Sequence, residues 1–425
     1  MKTTAVRLYG KHDLRLERFT LPPLGEDEIL ARVVTDSLCM SSYKAAVQGA
    51  QHKRVPDNCA EKPPIIGHEF CGELLEVGAR WRAEFSPGQR FAIQPALNMP
   101  ENVYAAPGYS FPNIGGNATY VVIPAAVMER GCLLPFEGDA YFLGSLAEPV
   151  SCIIGSFHVN YHTCAGSYEH LMGIREGGAT ALLAGAGPMG LGAVDYALHC
   201  DRRPGLLVVT DIDEARLARV AELYPPDEAA ARGVKLVYVN TKDMPDAVPH
   251  LRGLTEDGRG FDDVFVYAPV APVVEQADAL LGLDGCLNFF AGPTDTGFSA
   301  KFNFYNVHYM FTHVAGNSGG NTDDLREALD MMAAGRLNPA AMITHVGGLD
   351  AAAGATLDLP NIPGGKKLIY THLSLPLTPL AGLEAHTDPV LRELGQIVRA
   401  NRGLWCVEAE NYLLENGKRL DSAAG

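Results

Sequence analysis

Residues 180–190 read TALLAGAGPMG, and this stretch decides the fold of the middle of the chain. A short apolar strand leads into three glycines at the spacing G-x-G-x-x-G. The first glycine permits a tight turn, the second lets the backbone approach a pyrophosphate, and the third allows a helix to pack closely on the strand. The N-terminus of that helix offers free N–H groups to phosphates. The candidate cofactor contacts are therefore Gly185, Gly187, Pro188, Met189 and Gly190.

An acidic residue stands at the distance expected for such a turn. The next predicted strand, at 206–210, ends in Asp211, which is 21 residues after Gly190. A carboxylate there can accept hydrogen bonds from both ribose hydroxyls of an adenosine and would repel a 2′-phosphate, so NAD(H) is favoured over NADP(H). Arg216 is a candidate to stack near the adenine, or else is a solvated helix residue. Gly292 is a further candidate cofactor contact.

The rhythm of the chain predicts the fold class. From 180 to 292, apolar strands alternate with helices, which predicts a parallel sheet with helices on both faces. The first 150 residues hold short strands separated by Gly, Pro and Asp, the pattern of a β-rich domain. An amphipathic helix is predicted at 322–334, and two more helices are predicted in the tail at 386–416. The predicted fold class is α/β, with one β-rich domain and one domain built on a doubly wound parallel sheet.

Composition limits the partners. The chain has 425 residues and a formal net charge of −16, which argues against nucleic acid because phosphates need clustered Lys and Arg. Nine scattered cysteines and the lack of a secretory start predict free thiols in a reducing compartment, the cytoplasm. Residues 177–194 carry no charge, but their glycines and proline predict strand, loop and helix. We therefore expect no membrane partner.

Groups that bind metals occur at three places near the first domain. They are Cys39, the pair His68-Glu69, and Glu148. A thiolate, an imidazole and a carboxylate suit a catalytic zinc with an open position, which can polarise a ketone or a bound alcohol. Each residue alone has a more ordinary interpretation, because a lone Cys is usually a small buried hydrophobe and Glu148 could simply be an acid at a helix start. Pro149 is predicted to lie in the first turn of that helix.

These motifs, in this order, resemble those of the zinc-containing medium-chain dehydrogenases over residues 1–370. The match is closest to the polyol branch, in which Glu rather than Cys supplies the third protein ligand. It rests on Cys39-x-Ser41, Gly67-His68-Glu69, Gly115-Gly116-Asn117-Ala118, Glu148-Pro149 and Gly185–Gly190. The resemblance implies a GroES-like catalytic domain at 1–155, a Rossmann dinucleotide-binding domain at 156–319, and a return to the catalytic domain with a C-terminal helical extension at 320–425.

The resemblance also implies the parts of the site. The matching metal positions are Cys39, His68, Glu69 and Glu148. In relatives the acid at the position of Glu69 touches the metal or its water. Ser41 matches the hydroxyl that passes a proton to the alkoxide, and Lys44 stands where an imidazole often ends this relay. Cys152, four residues beyond Glu148, is a reserve ligand.

One departure from the family pattern is clear. Many relatives hold a structural zinc with four closely spaced cysteines in a lobe of the first domain, whereas residues 94–117 contain no Cys. We therefore predict one catalytic zinc per chain, no structural zinc, and a lobe held by packing alone.

A basic run suggests the substrate. In a chain of net charge −16, His52-Lys53-Arg54 stands out, with Lys44 upstream. These residues could hold a phosphate by charge-assisted hydrogen bonds, or form a solvated basic turn. With the resemblance, we expect an NAD(P)H-dependent reductase of a ketose phosphate, which would convert L-sorbose 1-phosphate to D-glucitol 6-phosphate.

Two alternatives remain open. The first is a dehydrogenase of neutral polyols or other secondary alcohols, and the second, from another class, is a cofactor-binding protein without turnover. The family leans to homodimers and homotetramers, so we expect one of these assemblies.

Overall fold

The computed structural model describes residues 1–164 and 166–420. The chain divides into two units, one from Met1–Pro149 together with the residues after 320, and the other from Val150–Gly320. One unit is built on an antiparallel-rich sheet and the other on a parallel sheet flanked by helices. The predicted α/β fold class with two domains is confirmed.

The first segment of the chain forms most of the β-rich unit. Its strands are β1 (Lys2–Gly10), β2 (Asp13–Thr20), β3 (Ile29–Ser37), β4 (Phe70–Val77), β5 (Arg90–Ile93), β6 (Tyr120–Ile123) and β7 (Leu133–Pro135). Its helices are α1 (Met40–Gln48), α2 (Ala125–Glu129) and α3 (Tyr141–Val159), the last of which carries the chain into the second unit.

The second unit contains the glycine-rich turn. Its strands are β8 (Tyr161–Thr163), β9 (His170–Met172), β10 (Ala179–Leu183), β11 (Leu206–Asp211), β12 (Lys235–Asn240), β13 (Phe261–Val266), β14 (Leu281–Phe289) and β15 (His313–Ala315). Its helices are α4 (Pro188–His199), α5 (Glu214–Leu223), α6 (Pro226–Ala230), α7 (Val248–Arg252), α8 (Ala271–Leu280) and α9 (Phe304–Tyr309). Residues 177–194 form strand, loop and helix, as predicted.

The parallel sheet has the strand order β12-β11-β10-β13-β14-β15, and every neighbouring pair is parallel. Strand β10 is buried along its whole length, as expected for a largely apolar strand covered on both faces. The order reverses between β10 and β13. In open α/β sheets, ligands bind outside the carboxyl ends of the strands at such a reversal. The glycine-rich turn follows β10 at this point.

The last segment returns to the β-rich unit. It contains α10 (Thr322–Ala333), β16 (Ile343–Gly348), α11 (Leu349–Leu357), β17 (Lys366–Tyr370), β18 (Thr378–Pro379), α12 (Pro389–Ala400) and α13 (Val407–Asn416). Helix α10 begins with a capping box, because the Asn321 side chain accepts from the Asp324 N–H and the Asp324 carboxylate accepts from the Asn321 N–H. The helices predicted at 322–334 and 386–416 are therefore present.

The sheet register in the β-rich unit assembles a site from distant parts of the sequence. The strand order is β18-β16-β17-β3-β4-β5-β7, with β6 paired to β3. Strands β17 and β4 run antiparallel to β3, with Leu368 opposite Ser37 and Asp36 opposite Phe70. The carboxyl end of β3 therefore lies beside the beginnings of both neighbours. Residues just after β3, just before β4 and at the start of β17 meet there.

Helix α3 begins at Tyr141, so the prediction that a helix starts at Pro149 is wrong. Pro149 lies inside the helix, where it has no N–H to donate to the Ser145 carbonyl and interrupts the ladder. The N–H groups of Tyr141 and Phe142 donate instead to a carboxylate from far along the chain, which local sequence could not reveal. Within the described residues, α3 alone is long and apolar enough to span a membrane, but 72% of its apolar window is buried inside the protein.

The C-terminal helices complete the core of the β-rich unit. Leu391, Leu394 and Val398 of α12 and Trp405 before α13 are buried with Phe142 and other apolar side chains of the unit in one hydrophobic cluster. The tail thus packs on its own chain. It reaches the same cluster as the first two turns of α3.

Candidate functional site

Three of the predicted metal ligands lie together at the carboxyl end of β3. The Cys39 thiol, a ring nitrogen of His68 and a carboxylate oxygen of Glu69 lie within 4.8 Å of one another. Cys39 comes two residues after β3, and His68 and Glu69 directly precede β4, so the antiparallel register of these strands brings them together. A thiol, an imidazole and a carboxylate are the donor set that zinc prefers in catalytic sites.

A glycine and an acid shape the backbone at this point. Gly67 has φ +94°, and a Cβ there would lie 2.4 Å from the Asn117 side chain and 2.5 Å from that of Asp36. The buried Asp36 carboxylate accepts from the Glu69 N–H at 3.1 Å and from the Asn117 side-chain amide at 2.8 Å. The motifs around Gly67 and Asn117 therefore act together, because both close around Asp36 and fix the residues that follow Gly67.

The imidazole of His68 is held in one orientation. Its Nδ1 lies 3.2 Å from the Ser42 hydroxyl, and its Nε2 lies 3.2 Å from the Tyr109 hydroxyl. Burial lowers the pKa of His68 to about 4, so the ring is neutral at pH 7. With Nδ1–H donated to Ser42, Nε2 keeps its lone pair for a metal, the arrangement of most ligating histidines.

The electrostatics around Cys39 also favour a cation. Burial raises the pKa of the Cys39 thiol to about 12, and the charges of Glu69 and Glu148 add to the effect. A metal ion would supply the positive charge that deprotonates such a thiol. Glu148, half-buried on α3, is not part of the 4.8 Å group, but its charge also raises the pKa of Lys366. Cys152, the reserve ligand, lies one turn further along the same helix.

Glu69 is paired with a lysine that sequence reasoning missed. The ammonium of Lys366 donates to both carboxylate oxygens, at 2.6 and 2.7 Å. Both groups are buried, with exposed fractions of 9% for Lys366 and 1% for Glu69. Burial alone would raise the pKa of Glu69, but the charge and hydrogen bonds of Lys366 lower it overall. Glu69 is therefore an ionised carboxylate already occupied by a partner.

Ser41 lies against the group formed by Cys39, His68 and Glu69, which we call the metal-type group. It is also hydrogen-bonded to Tyr109, a second residue that the sequence did not indicate. Its hydroxyl donates to the Cys39 thiol at 3.0 Å and accepts from the Tyr109 hydroxyl at 2.8 Å. Tyr109 is almost completely buried, and burial raises its pKa well above the usual value, so the phenol stays protonated. Its position in a Gly- and Pro-rich loop gave no signal.

The four basic residues predicted for phosphate binding are brought together. Burial lowers the pKa of His52 to about 4, and the charges of Arg54, Lys53 and Lys44 each lower it further. The rings of His52 and Tyr109 are stacked with centroids 5.9 Å apart. The Arg54 guanidinium lies 5.2 Å from the centre of the Tyr109 ring. Lys53 turns instead towards the exposed ring of Tyr104, 5.1 Å away.

The loop at 94–117 is fastened by hydrogen bonds, so the prediction that packing alone holds it is wrong. The Ser110 hydroxyl donates to the Arg54 carbonyl at 2.7 Å and accepts from the Ala106 N–H at 3.0 Å. The Gln94 side-chain amide donates to the Asn321 carbonyl at 2.9 Å. These polar side chains carry no spacing pattern that would reveal their partners.

The glycine-rich turn has the geometry that its motif predicts. A Cβ on Gly190 would lie 2.0 Å from the Gly185 carbonyl oxygen, so the helix can pack this closely only at a glycine. A Cβ on Gly187 would meet nothing within 4 Å, which leaves the approach to the turn open. Pro188 and Met189 lie in the first turn of α4, and ten further residues follow in that helix.

The other candidate cofactor contacts lie around the same end of the sheet. The Asp211 carboxylate, at the end of β11, accepts from the N–H groups of Ala186, Ile212 and Asp213 at 2.8–3.2 Å. The Asp211 carboxylate thus lies beside the glycine-rich turn and also holds its backbone in place. Arg216 is exposed and lies 3.5 Å from the Asp213 carboxylate, as a solvated helix residue would. Gly292 follows β14, the neighbour of β13.

A zinc-type donor set and a dinucleotide turn define a class, the metal-dependent oxidoreductases that use a nicotinamide cofactor. Comparison with known families agrees. The family model for the alcohol dehydrogenase GroES-like domain matches residues 25–130, and the model for zinc-binding dehydrogenases matches residues 188–334. The chain belongs to the zinc-binding medium-chain dehydrogenase family, in its polyol dehydrogenase branch. The expected enzyme class is thereby confirmed.

Individual relatives extend over the whole chain. L-Sorbose 1-phosphate reductase of Klebsiella pneumoniae is 54% identical over 419 residues, which is 98% of each chain. Mannitol-1-phosphate 5-dehydrogenase of Aliivibrio fischeri is 52% identical over 416 residues, 97% of this chain and 98% of the relative. Among solved structures, a protein described as a zinc-binding dehydrogenase from Sinorhizobium meliloti 1021, bound to NADP, has a TM-score of 0.69 at 22% identity and covers 87% of this chain and all of its own.

The buried ion pair yields a first prediction. Lys366→Met leaves the Glu69 carboxylate buried without its partner, so the free energy of unfolding should fall by about 3–5 kcal/mol. The double variant Lys366→Met, Glu69→Gln removes the stranded charge and should recover part of that loss. Denaturant unfolding of the zinc-loaded variants measures both. Wild-type stability in the single variant would mean that the pair contributes nothing.

The glycine-rich turn yields a second prediction from two matched variants. Gly190→Ala forces a Cβ against the Gly185 carbonyl and should destabilise the protein by about 1–3 kcal/mol. Gly187→Ala meets open space and should change stability by less than about 0.5 kcal/mol. Its methyl group stands where the backbone must approach a pyrophosphate, so the affinity for NADH should fall about tenfold, or ~1.4 kcal/mol. Thermal unfolding and NADH fluorescence titration separate the two effects, and equal behaviour of the two variants would contradict the assignment.

Proposed function

We propose that this chain is a zinc-dependent reductase of ketose phosphates, with L-sorbose 1-phosphate as substrate and D-glucitol 6-phosphate as product. One observation carries the proposal: the metal-type group adjoins a basic cluster, and the two share the ring of Tyr109, whose hydroxyl bonds to Ser41 and whose face lies against Arg54. The high identity to two enzymes named for sugar phosphates supports it. In this assignment residues 1–155 and 320–425 form the catalytic domain, and residues 156–319 bind the dinucleotide.

The metal would be held by Cys39, His68 and Glu148. Zinc, when bound there, acts as a Lewis acid on a carbonyl oxygen, and the nicotinamide cofactor supplies hydride. Glu69, tied to Lys366, adds negative charge beside the ligands. We propose one such ion per chain and no structural zinc, because residues 94–117 offer no thiolate.

Ser41 is the residue proposed to give a proton to the newly formed alkoxide. Its hydroxyl contacts the thiol of a proposed ligand at 3.0 Å, which places Ser41 beside the residues that would hold the metal. The Tyr109 hydroxyl donates to Ser41 at 2.8 Å, so the serine proton points away from Tyr109, towards the Cys39 thiol. Lys44, three residues after Ser41 on α1, is proposed to end the relay or to meet the substrate phosphate.

The phosphate would bind at the basic cluster. Arg54 is the foremost candidate because its guanidinium lies against Tyr109 and its charge also lowers the pKa of His68. A planar guanidinium can hold two phosphate oxygens at once. His52 is neutral at pH 7 and would contribute a hydrogen bond rather than a charge. Lys53, which turns towards Tyr104, should contribute less than Arg54.

NAD(H) is the proposed cofactor, although a relative of the same fold binds NADP. The Asp211 carboxylate stands at the end of β11 with its oxygens fixed by three backbone N–H groups. A fixed negative charge there disfavours a 2′-phosphate.

Assembly as a homodimer or homotetramer is also proposed. Strand β15 ends the parallel sheet, so one of its edges has no partner strand among the described residues of the chain. Large apolar side chains around it are exposed, among them Phe304, Tyr305, Tyr309, Phe311 and Val314. An open strand edge bordered by such side chains is what a protein normally covers with another chain.

The third prediction tests the substrate. NADH oxidation by zinc-loaded protein should show a kcat/KM for L-sorbose 1-phosphate at least about a hundredfold above that for L-sorbose, or ~2.7 kcal/mol. Arg54→Gln should remove about 1.5–3 kcal/mol of this preference, the value of a charge-assisted hydrogen bond, and leave the rate with L-sorbose unchanged. Lys62→Gln, an exposed lysine outside the cluster, is the control. Equal rates with both sugars would instead indicate a dehydrogenase of neutral polyols.

The fourth prediction concerns the cofactor. Wild-type protein should prefer NADH to NADPH by about tenfold or more in kcat/KM, because like charges would face each other in the NADPH complex. Asp211→Ser should lower this ratio. The readout is the ratio of kcat/KM with NADH to that with NADPH. Asp211 also holds the turn in place, so its loss should weaken the binding of both cofactors together. A wild-type ratio near one would refute the role of Asp211.

A further inference from the structure

The C-terminal helix α13 carries an acid that reaches the start of helix α3. Glu410 is completely buried, and its two carboxylate oxygens accept from the N–H groups of Tyr141 at 2.5 Å and Phe142 at 2.9 Å. The Tyr370 hydroxyl donates to the same carboxylate at 2.9 Å and accepts from the Trp405 indole at 2.8 Å. All the polar atoms of this group are therefore committed to one arrangement.

This contact supplies what α3 lacks locally. The first N–H groups of a helix have no partner within the helix, and a negative charge is stabilising beside them. The first turn of α3 contains no acidic residue of its own. The cap comes instead from 269 residues further along the chain. A segment that is short of local capping depends on this distant carboxylate for where it begins.

The helix lacks one ladder hydrogen bond beyond that first part. Pro149 cannot donate to the Ser145 carbonyl, although α3 continues without a break to Val159. On their flank, Gly144 packs so closely on Cys71 that a Cβ would lie 2.4 Å from the sulfur. The turns at 141–148 are thus held by a cap at the front and a tight side contact, in addition to the continuing helix.

The cap lies in line with the proposed ligand. Glu148 follows Tyr141 by seven residues, which is about two helical turns, or ~10 Å along the axis on nearly the same face. Because both residues belong to one continuous helix, a shift or rotation of its first turns would carry Glu148 with it. In the proposed function Glu148 is a metal ligand, so its position on α3 matters to the metal-type group.

We propose that Glu410 is a positioning residue for the metal centre: by capping α3 it sets where the Glu148 carboxylate stands relative to Cys39 and His68. The C-terminal extension thereby takes part in building the site, without contacting substrate or metal. This inference rests on the metal site of the proposed function.

The test compares two variants of the same helix in the full-length, metal-loaded protein. Glu410→Gln keeps the shape of the side chain but turns an amide N–H₂ towards one of the two backbone donors. Glu415→Gln removes an exposed charge from the last turn of α13 and is the control. The readouts are the visible absorption spectrum of the Co²⁺-substituted proteins and the rate at which a chelator removes Zn²⁺.

We expect Glu410→Gln to alter the Co²⁺ ligand-field bands and to release Zn²⁺ about tenfold faster, the lower range for loss of a residue that orients a ligand. Glu415→Gln should match the wild type in both. A Glu410→Gln protein that has a lower Tm but wild-type spectrum and release rate would overturn the proposal and leave a purely structural cap.

A second variant covers the case in which Glu410→Gln does not fold. Tyr370→Phe removes one of the three hydrogen bonds to Glu410 and leaves both backbone contacts, so it should give a smaller shift of the same kind. A folded Tyr370→Phe protein without any shift would count against the proposal. A wild-type protein that binds no stoichiometric zinc would refute the proposed function instead, so the two failures are distinguishable.

Discussion

Charge balance at the end of β3 is the constraint on which the rest of the structure depends. A thiolate at Cys39 and carboxylates at Glu69 and Glu148 would place three negative charges in largely buried surroundings. The ammonium of Lys366 and one divalent cation bring the sum to zero. Burying unbalanced charges costs several kcal/mol each, so we expect Cys39 to stay a neutral thiol until a cation binds, while Lys366 balances Glu69 in either state. In the proposed function, the strand register that brings Lys366 beside Glu69 is therefore as important to the metal centre as the ligands.

The parts of the candidate site that could be predicted from the sequence are those whose residues stand close together in it. The glycine spacing predicted the turn after β10. The adjacent residues His68 and Glu69 were predicted as metal donors because they stand next to each other in the sequence. Lys366 and Tyr109 were not predicted because they reach the site from other segments of the chain. Lys366 contacts Glu69, and Tyr109 contacts Ser41. Lys366 is 297 residues away from Glu69 in sequence, and only the pairing of β17 with β3 brings them into contact.

Secondary structure was predictable to a similar degree. The wrong prediction, that of the start of α3, had a similar cause. The alternation of apolar strands and helices after 180 was strong enough to predict the parallel sheet. Pro149 was misjudged because a proline is usually found at a helix start, whereas here a carboxylate from α13 caps the helix two turns earlier. A tertiary contact thus overrode a local preference, and the tail that supplies it had no visible role in the sequence.

The ring of Tyr109 connects Ser41, the proposed proton donor, with the basic cluster. Its hydroxyl holds Ser41 and approaches His68, while its faces carry His52 and Arg54. A rigid aromatic side chain fixes the distance between a proton donor and a cation better than flexible side chains could. In the proposed function, this distance is the one between the reacting carbonyl and the phosphate of the substrate.

The loop at 94–117 has one further consequence. Its fastenings are hydroxyl, amide and backbone hydrogen bonds, such as those of Ser110 and Gln94, which neither oxidants nor chelators attack. In relatives with a second zinc, metal depletion threatens the architecture as well as the chemistry. In the proposed function this chain has no second ion. Loss of the catalytic zinc would then stop the chemistry and leave the hydrogen bonds of this loop in place.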